Sequence, residues 1–195
     1  MPLLILLLIV GVVFVFYAIA IYNYFVSTKA RIKASVQEIG NQLKRQANLI
    51  PNLEASAKGY LKHEKGIFEK LTDARKAVEK AVKSQDVQKM VDAESQLASV
   101  LPSIQVLVES NPEIKGADVV TKLMDELRDT ADKIMYARRL VIDLTADFNV
   151  KRATFPSNIV ANIFSFKELP GILTPEKGEH VEVSEAETKS PKVDL

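Results

Sequence analysis

Residues 3–21 read LLILLLIVGVVFVFYAIAI, a run of 19 residues without a charge, and the first charged side chain in the chain is Lys29. At 1.5 Å per residue a helix of this length spans about 28 Å, close to the hydrocarbon thickness of a bilayer. A helix buried in a soluble core has no need of apolar residues on every side over such a length. The run therefore predicts a transmembrane helix at residues 1–24, with Leu3, Leu8, Gly11, Phe16 and Ile21 within the span. Gly is tolerated in such helices, and Tyr17, Tyr22 and Tyr24 gather at one end, where an interfacial aromatic belt sits.

A cleaved signal peptide is the competing reading, because Ala18-Ile19-Ala20 has the small-x-small form of a cleavage site. No Lys or Arg precedes the run, however, and the run is longer than a usual signal core. The expectation is an uncleaved, single-pass anchor in the cell membrane. Lys29, Arg31 and Lys33 follow the span, so the positive-inside rule favours an outside N terminus and a cytoplasmic body.

Beyond the anchor the chain is polar and balanced, with 26 basic and 25 acidic residues in all, every one of them from Lys29 onward. That leaves no large basic field, and no nucleic-acid partner is expected. The absence of Cys removes disulfides, thiol nucleophiles and Cys-based metal sites.

Four stretches carry helical periodicity and none alternates like a strand. The first places Ile32, Val36, Ile39, Leu43, Ile50 and Leu53 on one face, with Gln46 as a polar interruption and Pro51 predicting a kink. A turn is expected at Gly59 and Lys62–Lys65. The second has Ile67, Leu71, Ala74, Val78 and Ala81, after which Ser84 or Asp86 is positioned to cap the third. The third runs from Val87 through Met90, Leu97 and Ile104 to Val108, with Pro102 predicting a bend and Asn111-Pro112 an end. The fourth has Val120, Leu123, Leu127, Thr130, Ile134, Ala137, Val141, Leu144 and Phe148. This 3–4 spacing is the coiled-coil-like seam of a helical bundle, and short connections make successive helices antiparallel.

The predicted fold is thus all-α: the transmembrane helix, then an antiparallel up-down four-helix bundle over residues 25–153 with long first and last helices. Two long helices cannot be covered throughout by two short ones. Their membrane-proximal ends are expected to form a two-helix stalk or to offer an apolar stripe to a partner. Residues 154–173 are unusually apolar, with Phe155, Pro156, Ile159, Ile163, Phe164 and Phe166 as candidate interaction or membrane-contact residues. Two placements are open: in the membrane interface, or folded back as a cap on the bundle. Residues 174–195 have the composition of a disordered tail.

Catalytic chemistry finds few residues to work with. His63-Glu64 begins like a zinc-protease motif, but the position one turn later is Ile67 and the other His is His180 in the tail. Seven Gly never cluster into a phosphate loop. Glu69, Glu79, Asp92, Glu94 and Asp129 lack the Glu-x-x-His pairs of a di-metal bundle. No catalytic residue, metal or cofactor is expected. Glu94 falls on a seam, where a buried carboxylate needs a partner; Arg45, Arg75, Arg138 or Arg139 could pair with it, and Arg45, Arg75 and Arg138 are the candidates for a structural polar network.

Several blocks occur in order: Tyr22-Asn23, Gln42-Leu43-Lys44-Arg45, Leu49-Ile50-Pro51-Asn52-Leu53, Gly59-Tyr60, His63-Glu64 and Ala74-Arg75. Asn111-Pro112, Ala137-Arg138-Arg139, Phe148-Asn149 and Phe155-Pro156-Ser157-Asn158 follow. In these the chain resembles the LemA family from about residue 22 to residue 166. Leu140-Val141-Ile142, where the family tends to have an aromatic residue and Asn, and Pro102 depart from its pattern. The resemblance implies a bacterial, membrane-anchored antiparallel helical protein with no established reaction. Some relatives are associated with shaping internal membranes and others with envelope stress. The leading expectation is a scaffold that meets the lipid bilayer, other membrane-associated proteins or a second copy of itself as a homo-oligomer. A regulator coupled to an envelope-stress or membrane-protease system, with the tail as its switch, is the alternative.

Overall fold

The computed structural model describes residues 2–57, 65–110 and 118–172. The described residues form five helices and no strand: α1 Pro2–Ala57, α2 Lys65–Ser84, α3 Val87–Ser110, α4 Asp118–Ala153 and α5 Ser157–Ile163. The turn expected around Gly59, the end at Asn111-Pro112, and the tail at residues 174–195 lie outside the described residues.

The apolar run and the first amphipathic stretch are one helix of 56 residues, with no break between residues 24 and 25. Pro51 sits inside it, and Pro102 sits inside α3. Each Pro withholds one backbone donor. Ile50 and Leu53, buried on either side of Pro51, show why α1 continues: tertiary packing, more than propensity, holds most helices in proteins. Between α2 and α3, Gln85 adopts a left-handed φ of 54° and Asp86 caps the next helix, accepting the Lys89 N–H at 3.2 Å on Oδ1.

One apolar core draws on α1 to α4. Its fully buried members include Ile39, Leu43, Ile50 and Leu53 of α1, Leu71 and Val78 of α2, Leu97 of α3, and Leu127 and Ile134 of α4. These are the residues that the 3–4 spacing picks out. Gln46, the polar interruption, is buried too, and its Nε2 donates to the Leu127 carbonyl at 3.3 Å. α2 runs back along α1, since Thr72 hydrogen-bonds Glu54 while Gly40 meets Val82 and Met90.

α1 and α4 are antiparallel and in constant register. Gln46 meets Leu127, Phe25 meets Phe148, and the two contacts are the same number of residues apart on both helices. Continued, this register brings Ala153, the last residue of α4, level with Ala20. Before Tyr17 every described residue of α1 is exposed.

Candidate functional site

The site is built where protein cover on α1 begins. Among the described residues α1 alone is long and apolar enough to cross a membrane. Leu3, Leu8 and Phe16 are about two-thirds exposed (70, 67 and 69%), and an added Cβ at Gly11 would meet nothing within 4 Å. Ile21, by contrast, is buried.

At that transition a second core forms from Ile21, Phe25, Phe148, Val160 and Ala161, apart from the one shared by α1 to α4. Tyr17, Ala18, Tyr24, Phe166 and Leu169 pack around it. Phe25 and Phe148 are wholly buried, and their rings meet edge to face with centroids 5.0 Å apart. Phe166 lies 4.7 Å from Phe25 and 5.7 Å from Tyr22, and Phe164 lies 4.8 Å from Tyr22. Such ring pairs contribute about 0.5–1.5 kcal/mol each beyond their buried area. The Lys29 ammonium stands 5.6 Å from the Phe166 ring centroid and Lys151 5.6 Å from that of Tyr24.

The chain enters this cluster through Phe155-Pro156-Ser157-Asn158. Pro156 cannot continue α4, whose last carbonyls then need donors. The Ser157 hydroxyl supplies one, lying 2.5 Å from the Lys151 carbonyl and 3.0 Å from that of Thr154. α5 then buries Ser157, Val160 and Ala161 on its inner face. Its outer residues are partly or largely exposed: Ile159 at 38% and Ile163 at 65%, with Phe164 just after it at 51%. Phe155, before the helix, is 79% exposed.

After α5 the backbone turns at Ser165 (φ 54°) and runs back along α4 as a strap. The Asn149 side chain holds it at both ends of one peptide group pair: Nδ2 donates to the Leu169 carbonyl at 2.8 Å, and Oδ1 accepts the Leu169 N–H at 2.9 Å. Arg152 Nε donates to the Phe166 carbonyl at 2.8 Å, and Ile172 reaches the main core. An Asn amide satisfies an extended backbone in this way because it carries a donor and an acceptor side by side.

The segment at residues 154–166 is therefore divided. Phe166 is packed against the α1–α4 junction, Phe164 lies half-covered against Tyr22, and Phe155, Ile159 and Ile163 point outward. Of the arginines considered for Glu94, Arg138 lies beside it at 3.6 Å. Arg45 pairs instead with Glu126 of α4, and Arg75 with Glu79 one turn along α2. Among the described residues no three of His, Cys, Asp and Glu come together as a metal set, and His63 and His180 lie outside those residues. Sequence reasoning misses Phe25 as a core residue and the clamps made by Asn149 and Arg152. Asn149 stands next to a seam Phe, but a polar residue there carries no sign of a backbone partner 20 residues on.

Two outcomes follow from these contacts. Asn149→Ala removes both bonds to Leu169, each contributing about 1 kcal/mol, so hydrogen exchange at the Leu169 amide should rise roughly tenfold or more. Unchanged exchange there would show that the clamp does not hold the strap. The second concerns Glu94. Burial raises its carboxyl above the ordinary 4.5, and the Arg138 charge acts in the opposite direction. The folded state then holds this proton more tightly than the unfolded state, so its contribution to stability falls as pH rises through that raised value. Urea midpoints measured from pH 4.5 to neutrality should decline less steeply for Glu94→Gln than for the parent chain.

No curated protein matches the chain. The model of the LemA family matches residues 35–194, starting in α1 past the aromatic cluster and continuing through α2, α3, α4 and α5 into the C-terminal residues. With most of its length so matched, the chain belongs to the LemA family.

Proposed function

We propose that this chain is a membrane-anchored scaffold without catalytic activity, in which α1 tethers an antiparallel up-down four-helix bundle to the cell membrane at a fixed height. In this reading the bundle presents its faces to other membrane-associated proteins or to a second copy of the chain, and so takes part in organising the membrane. The observation that carries it is the continuity of α1: an uncovered apolar helix passes without a break into a packed body. Exposing that much apolar surface to water is strongly unfavourable, and a bilayer removes it from water at no cost in backbone hydrogen bonds.

The four helices sharing one core support the bundle reading. Exposed apolar residues on α4, Met135 at 65% and Tyr136 at 72%, support contacts with other proteins. Glu94 beside Arg138 supports a role for partly buried charge in fixing helix register. Lys29, Arg31 and Lys33 favour a cytoplasmic body. The alternative, a stress regulator switched through residues 174–195, rests on residues outside the described set.

Alkaline carbonate extraction of membranes from expressing cells tests the anchor. The parent chain should remain with the lipid pellet, whereas a chain lacking residues 2–20 should be released. Release of the parent chain would contradict the reading.

A further inference from the structure

We propose that the α5 region is a second, interfacial membrane contact, in which Phe155, Ile159, Ile163 and Phe164 enter the outer acyl region of the same bilayer that α1 crosses. This rests on the anchor reading and adds to it a site and a ligand, the lipid surface.

The height of α5 along α1 is the first ground. α4 ends level with Ala20, and Phe155 follows it by two residues. α5 and the start of the strap pack on Tyr17, Ala18, Ile21, Tyr22 and Phe25. The segment therefore sits beside the stretch of α1 where exposed apolar residues give way to covered ones, which is the mouth of the span.

Its two-sidedness is the second. Val160 and Ala161 face the protein, leaving Ile159 and Ile163 on the other side of a helix of only seven residues. An interfacial helix lies in this way, with its apolar face about 5–10 Å into the headgroup–acyl boundary. Among the described residues no other helix passes this level to cover that face, since α4 has ended and α2 and α3 pack in the main core.

Charge is the third. Residues 17–33 and, at the same level, 140–169 carry Lys29, Arg31, Lys33, Lys151, Arg152 and Lys167 against Asp143, Asp147 and Glu168. A basic rim beside an apolar face suits anionic lipid headgroups, each cation near the surface adding about 1 kcal/mol. A protein partner on the same face is the competing occupant, and the test separates the two.

The chain has no Trp, so a single introduced Trp is an unambiguous depth probe. The full chain is reconstituted into phosphatidylcholine–phosphatidylglycerol vesicles, without other proteins, containing lipid brominated high on the acyl chain. Phe155→Trp and Ile163→Trp replace exposed side chains, and Phe16→Trp and Tyr136→Trp serve as references in the span and on the distal body. Emission from Phe155→Trp and Ile163→Trp should fall by about half, as expected for side chains at the acyl boundary, while Tyr136→Trp changes little. Quenching of Phe16→Trp without quenching of Phe155→Trp and Ile163→Trp would overturn the second contact and leave the anchor standing. That is also the result if a protein covers the face. Absence of quenching at Phe16→Trp would overturn the anchor and the second contact together.

Discussion

Phe25 lies where protein cover on α1 begins, and its ring touches both Phe148 of α4 and Phe166 of the returning strap. These three rings join segments from the start, the end of the last long helix and the C-terminal return of the described chain. Each is apolar, and the position they share is next to a stretch of α1 that no protein surrounds. This cluster is a core of its own between α1, α4 and the returning chain, separate from the core shared with α2 and α3.

The rest of the arrangement follows from unequal helix lengths. α2 and α3, with 20 and 24 residues, cover only part of α1 and of the 36-residue α4. The uncovered upper end must find apolar cover from elsewhere. α5 and the strap supply it, held by Ser157 on the closing carbonyls of α4 and by Asn149 and Arg152 on the strap backbone. Where the uneven lengths predict a two-helix stalk or an apolar stripe offered to a partner, α5 and the strap pack along one side of the α1–α4 pair.

Much of this was legible in the sequence, and the reason is periodicity. Ile39, Leu43 and Ile50 in α1, and Leu127 and Ile134 in α4, reveal a buried face because a helix repeats every few residues whatever it packs against. Glu94 was legible as a partly buried carboxylate for the same reason. Which arginine it meets was not, since Arg45 and Arg75 are half-exposed and find carboxylates of their own in Glu126 and Glu79. The Phe-rich segment announced itself by composition alone. Composition has no register, so the split between inward Phe166 and outward Phe155 depends on the turn at Ser165 and the Asn149 clamp, which no local pattern encodes. The same holds for Phe25, which reads as one more apolar residue at the end of the run until Phe148 is brought against it.

The apolar run and the packed body are joined by one continuous helix across Ile21. Because the chain lacks Cys, nitroxides placed through Val13→Cys and Lys33→Cys are the only labels in the molecule. Pulsed electron–electron distance measurement on the protein in vesicles should give a single narrow distribution near 30 Å, the length of about 20 helical residues. A broad distribution, or one centred well below that distance, would mean that α1 is broken or hinged between Val13 and Lys33 and is not one continuous helix there.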